Sequence, residues 1–90
     1  MKKINEKQRK EIYDSTEKMI KKIKESISEI ENAKIYLKDL CEKANLDTYY
    51  TWSIEERLNE SEIRLKMSLI RIEEFREEAD RFNLSTSGFY

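Results

Sequence analysis

Two stretches of the chain, Glu6 to Ala44 and Ile54 to Phe82, place an apolar residue every three or four positions and contain neither proline nor glycine. That spacing is the period of an amphipathic helix, and nothing inside either stretch forces a kink or a stop. A polar and aromatic break separates them, so the chain reads as helix, turn, helix. The pattern predicts helix one at about residues 6–44, a turn at about 45–53 and helix two at about 54–83. Together they form one hairpin domain over residues 1–83, followed by a flexible tail over 84–90 in which Phe89 and Tyr90 are available to dock on a partner.

The first stretch follows a heptad. One inner column reads Tyr13, Ile20, Ile27, Lys34 and Cys41, and the other Thr16, Ile23, Ile30, Leu37 and Ala44. Met19, Ala33 and Leu40 widen that seam to the stripe of a bundle helix. Lys34 interrupts it, either snorkelling to water or fixing register against a carboxylate. Asn5 followed by Gln8 three residues later is a capping box for the start, and Asn45 before Leu46 supplies a left-handed C-cap. Trp52, Ser53 and Glu56 repeat the start signal for helix two with Ser53 as N-cap, while Asp47 offers an earlier start through Thr48 and the tyrosines.

The seam of helix two is Leu58, Leu65, Leu69, Ile72, Phe75, Ala79 and Phe82, with Ser61 and Ser68 as small interior positions. Asn83 and Leu84 repeat the asparagine-leucine stop signal. Ile63, Met67 and Ile70 fall on the face opposite the seam, where a simple hairpin leaves them wet. Three apolar residues on successive turns mark a contact surface, and they are the candidate partner-binding strip. Tyr49, Tyr50 and Trp52 join them as candidate anchors, because tyrosine and tryptophan are enriched at interface hot spots; the alternative is a plug closing the hairpin end.

Composition sharpens this picture. With 38% apolar and 41% charged residues in a chain of 90, one copy has too little material for a thick core. The expected fold class is therefore all-α: an antiparallel helical hairpin with a coiled-coil-like seam, packed into a homo-oligomeric helical bundle. The absence of any long apolar run or signal-peptide core predicts a cytoplasmic protein. Charge sets the orientation. Met1 to Lys24 carries nine Lys/Arg against four Asp/Glu, and the remainder carries nine against fifteen, so an antiparallel arrangement brings the basic start beside Glu73, Glu74, Glu77, Glu78 and Asp80. A net charge of −1 and the lack of a sustained basic face argue against nucleic-acid binding.

Candidate chemistry is sparse. There is no histidine, and the single cysteine, Cys41, sits on the apolar seam as a small hydrophobe, so neither a metal site nor a cofactor is expected and no catalytic residue stands out. Arg57, Arg64 and Arg71 recur every seven residues and form a possible anion-binding stripe for a nucleotide, with Tyr49, Tyr50 and Trp52 to stack on it; pairing with glutamates, such as Glu60 with Arg64, is the plainer role. The reading that fits best is a non-enzymatic inhibitor or adaptor, of the kind encoded as phage accessory proteins, that binds a larger protein. An oligomeric protein sequestering an anionic small ligand is the alternative.

The layout of two long helices with Trp52 near the turn also resembles the small secreted Trp-x-Gly hairpin proteins of Gram-positive secretion systems. Ser53 and Ile54 follow Trp52, so the glycine of that motif is replaced. The resemblance implies a helical hairpin that partners a secretion system, and it carries no functional residue across.

Overall fold

The structure, a computed structural model, describes the backbone of residues 4–88 and the side chains of residues 4–81. It is an all-α hairpin of two helices, α1 (Glu6–Ala44) and α2 (Tyr49–Gly88), with no strand among the described residues.

The start of α1 is set by the expected capping box. The Asn5 amide donates to Gln8 Oε1 at 3.0 Å and the Gln8 amide donates to Asn5 Oδ1 at 2.7 Å, which satisfies two amides that have no helical acceptor. Its end is equally local. Asn45 adopts the left-handed region with φ of 51°, and the Leu46 amide donates back to the Cys41 carbonyl at 3.0 Å, the long bond of a Schellman motif.

The second helix departs from the sequence expectation at both ends. It begins at Tyr49, and Ser53 lies inside it. Thr48 and Thr51 form the reciprocal cap instead: the Thr51 amide donates to Thr48 Oγ1 at 3.2 Å and the Thr48 amide donates to Thr51 Oγ1 at 3.0 Å. Two threonine hydroxyls thus do what the serine and glutamate were expected to do, five residues earlier. The turn shrinks accordingly to residues 45–48. At the other end the backbone stays helical through Gly88, so Asn83 and Leu84 do not terminate it and the expected tail is helical over 84–88. The side chain of Phe82, and the docking role suggested for Phe89 and Tyr90, lie outside the described residues.

Contacts divide the hairpin into a terminal unit, Met1–Lys22 with Ser68–Tyr90, and a turn unit, Ile23–Met67. In the terminal unit Thr16 and Ala79 are fully buried, and Ile12, Tyr13, Ile20, Leu69, Ile72 and Arg76 are half-buried around them. Ion pairs cross between the helices here, among them Arg9 Nε to Asp80 at 3.0 Å and Arg76 to Glu17 at 2.8 Å. The antiparallel arrangement read from charge is present, although the second pair runs opposite to the expected sense, with the base on α2.

In the turn unit Ile23, Ile27, Ile30, Leu37, Leu58 and Leu65 form a half-buried seam, and no described side chain is fully buried. An aliphatic side chain contributes about 1.5–3 kcal/mol when wholly removed from water, so each of these contributes only a fraction of that. Lys34 takes the register role: its ammonium reaches Glu62 Oε1 at 3.3 Å, and Glu62 also accepts from Lys66 at 2.9 Å. Ser61 and Ser68 lie outside the seam on exposed positions; the Ser61 hydroxyl donates to its own helix at the Arg57 carbonyl, 2.9 Å away. Phe75, placed in the seam by periodicity, remains 40% exposed. Cys41 is a free thiol, half-buried on the seam.

Candidate interaction surface

The early start of α2 changes the setting of the aromatic cluster. Tyr49, Tyr50 and Trp52 occupy its first turn instead of a loop, and they stack on one another: Tyr49 meets Tyr50 edge-on with centroids 5.8 Å apart and Trp52 at a tilt at 6.1 Å. Tyr49, Tyr50 and Trp52 are 71%, 76% and 55% exposed. Rings this open do not close the hairpin end as a plug; they hold one another in place and face outward.

One side of Trp52 does meet the hairpin. With Leu37, Cys41, Leu46 and Thr51 it lines a groove of about 580 Å³, rimmed by Lys34, Lys38, Asp47 and Glu55. The groove exists because the Schellman motif swings Leu46 back beside Cys41 while the Thr48 cap starts α2 almost at once.

Farther along α2, Ile63 and Met67 in the turn unit are 58% and 53% exposed, and Ile70 in the terminal unit is 57% exposed. Within the turn unit, Tyr49, Trp52, Glu56, Glu60, Ile63 and Met67 are separated by three, four, four, three and four residues. Those steps keep all six on one side of a helix, opposite Leu58 and Leu65 in the seam. Two of the aromatic anchors, Tyr49 and Trp52, and two members of the aliphatic strip, Ile63 and Met67, therefore lie on one outward side with two glutamates between them.

Within the arginine stripe, one member already has a partner. Arg71 spends its guanidinium on Glu74 at 3.0 Å within the same helix, and it belongs to the terminal unit while Arg57 and Arg64 belong to the turn unit.

The best-built polar constellation is one that sequence reading missed. In the terminal unit Arg76 donates to Thr16 Oγ1 at 2.7 Å, to the Tyr13 carbonyl at 3.1 Å and to Glu17 at 2.8 Å. The Tyr13 ring is flanked by two guanidiniums, Arg9 at 4.9 Å and Arg76 at 4.7 Å from its centroid, and the Tyr13 hydroxyl donates to Asp80. That hydrogen bond, with burial and the carboxylate's charge, pushes the phenol above its ordinary value. The same bond, aided by Arg9, holds the Asp80 carboxyl below the ordinary carboxylate range despite partial burial. Glu62 is lowered by its bonds to Lys66 and Lys34. Every group in the cluster is committed to another, which is the chemistry of a structural lock and leaves no poised acid, base or nucleophile.

Among the described residues no cluster of His, Cys, Asp or Glu is arranged to hold a metal ion, and no helix is long and apolar enough to cross a membrane. No known protein family matches the chain, and neither characterised proteins nor solved structures show significant similarity to it. The resemblance to Trp-x-Gly hairpins is one of layout alone.

Proposed function

We propose that this protein is a non-enzymatic interaction module, an inhibitor or adaptor that docks on a larger protein through the outward face of α2. One observation carries the reading: the hairpin buries little apolar surface, while Tyr49, Trp52, Ile63 and Met67 stand exposed on one side of a rigid helix. Isolated exposed hydrophobes need no explanation, but an aromatic pair and an aliphatic pair aligned on one side of a helix do. Aromatic anchors on a helix also lose little conformational freedom on binding, which suits a hot spot. An anionic small ligand has weaker support, because Arg71 already has a carboxylate partner.

The test is capture from host lysate with wild-type chain and with the double variant Ile63→Glu/Met67→Glu. Both residues point away from the seam, so far-UV circular dichroism should be unchanged while a stoichiometric partner is lost. A variant that retains the same partner sinks the reading.

A further inference from the structure

The middle of the outward face identifies what it takes. Glu56 and Glu60 lie between the aromatic and aliphatic pairs, are exposed, and join no ion pair among the described residues. Arg57 and Arg64 flank this side of α2 without pairing with either glutamate, and Lys66 beyond them is bonded to Glu62, so the two carboxylates remain the charges at the centre of the face. Residues 23–67 as a whole carry seven Lys/Arg against ten Asp/Glu. The face is thus apolar at both ends and negative at its centre, and its apolar ends, Trp52 and Ile63, are eleven residues apart, about 16 Å along the helix.

We propose that this face of α2 binds a basic amphipathic helix, one with two apolar anchors about eleven residues apart and lysine or arginine between them. The inference rests on the interaction reading above and names its partner's chemistry. Two apolar ends give such a helix its grip, and basic residues over Glu56 and Glu60 fix its register, as interhelical charges do in coiled coils. A lysine or arginine one turn farther on meets the faces of Tyr49 and Trp52, where a cation is attracted by the ring. Nucleic acid and anionic membrane surfaces are disfavoured by the same two carboxylates. A second copy fits poorly: its own α2 face brings Glu56 and Glu60 against their equivalents. The basic first part of α1 offers no such pair of anchors: among its described large apolar residues only Met19 is exposed.

Trp52 is the only tryptophan, so its fluorescence reports on the face directly. The full chain is titrated with two tryptophan-free helical peptides, each bearing two leucine pairs eleven residues apart, one with lysines between the pairs and one with glutamates. The lysine peptide should shift Trp52 emission and bind at least about tenfold more tightly than the glutamate peptide, the difference shrinking as salt shortens the Debye length from about 10 Å at 0.1 M to about 3 Å at 1 M. The variant Glu56→Lys/Glu60→Lys, which breaks no existing pair, should keep its helicity and reverse the preference. Equal binding of the two peptides, no binding of either, or an unreversed preference in the variant overturns the proposal. So does light scattering that shows a dimer which Ile63→Glu/Met67→Glu dissociates, because the occupant is then a second copy. If a captured target is lost with that aliphatic variant while the peptides fail to discriminate, the interaction reading stands and the basic helix is refuted. A target indifferent to Ile63 and Met67 removes both.

Discussion

Replacing Arg76 with alanine is the sharpest probe of how the hairpin is held. Its side chain is 17% exposed and donates to three acceptors while covering the Tyr13 ring. Hydrogen bonds from a charged donor contribute about 1.5–3 kcal/mol each in partly buried settings, but the desolvation of the guanidinium offsets part of that and the bonds share one side chain. The Glu17 carboxylate is 70% exposed, so that pair adds only about 0–1 kcal/mol. Contact with Tyr13 adds about 0.5–1 kcal/mol. Thr16 keeps its own bond to the Ile12 carbonyl at 2.7 Å, so truncation leaves no orphaned hydroxyl. The net expectation for Arg76→Ala is a loss of about 2–3 kcal/mol, which at about 4–8 °C per kcal/mol for a domain of this size lowers Tm by roughly 8–24 °C. Thermal melting by far-UV circular dichroism measures it, at one fixed protein concentration so that any self-association does not move the midpoint. Arg76→Lys should fall between, because a lysine cannot span the same acceptors, and Glu17→Gln should cost no more than about 1 kcal/mol. If Arg76→Ala melts within about 0.5 kcal/mol of wild type, the cluster does not hold the terminal unit and its geometry is incidental.

Two further outcomes follow from the same contacts. Asp80 and Glu62 are both held below their unfolded values, so the stability they contribute is present above about pH 4 and is lost as pH falls through their lower folded values. Tyr13 is raised, so its contribution is present at neutral pH and is lost only as pH rises through its folded value, above about 10. Urea midpoints across the acid range should therefore fall for wild type and fall less for Asp80→Asn; identical slopes would remove Asp80 from the account. At the turn, Asn45 holds a positive φ that glycine adopts without steric cost, so Asn45→Gly should leave stability equal or raise it by up to about 1 kcal/mol, whereas Asn45→Ala should lower it by about 1 kcal/mol. Equal melting of the glycine and alanine variants would contradict the left-handed cap.

The sequence made the helices visible because their signals are local. Periodicity, the Asn5–Gln8 box and the Asn45–Leu46 stop each lie within a few residues and act there. The misplaced start of α2 shows the limit of such signals: Ser53 with Glu56 and Thr48 with Thr51 are both acceptable caps, and the pattern alone does not say which one the chain uses. The tertiary lock was illegible for a different reason. Arg76 lies 60 residues from Thr16, and Lys34 lies 28 from Glu62, so neither partner is within any window that a helical period samples. Arginine at an inner position reads as a surface residue until the opposite helix is known. The outward face was half legible. Ile63, Met67 and the aromatics stood out by residue type, but that they share one side with Glu56 and Glu60 depends on α2 starting at Tyr49 and running on unbroken.

These inner polar groups also separate what holds the hairpin from what it displays. Sliding α2 by one heptad along α1 would carry Arg76 from the level of Thr16 to that of Ile23 or Arg9, setting a guanidinium against an apolar residue or a like charge. The turn unit is more permissive, because one of the same slips brings Lys34 to the level of another carboxylate, Glu55. Register is therefore written mainly in the terminal unit, by Arg76, Tyr13, Thr16 and Asp80. None of Tyr49, Trp52, Ile63 and Met67 contributes to that choice, and none is needed for the capping of either helix. Polar residues at Ile63 and Met67 would leave the hairpin's seam, caps and register as they are. The apolar character of Ile63 and Met67 thus serves neither seam, cap nor register in the folded chain, and this is the support for the proposal that they meet a partner.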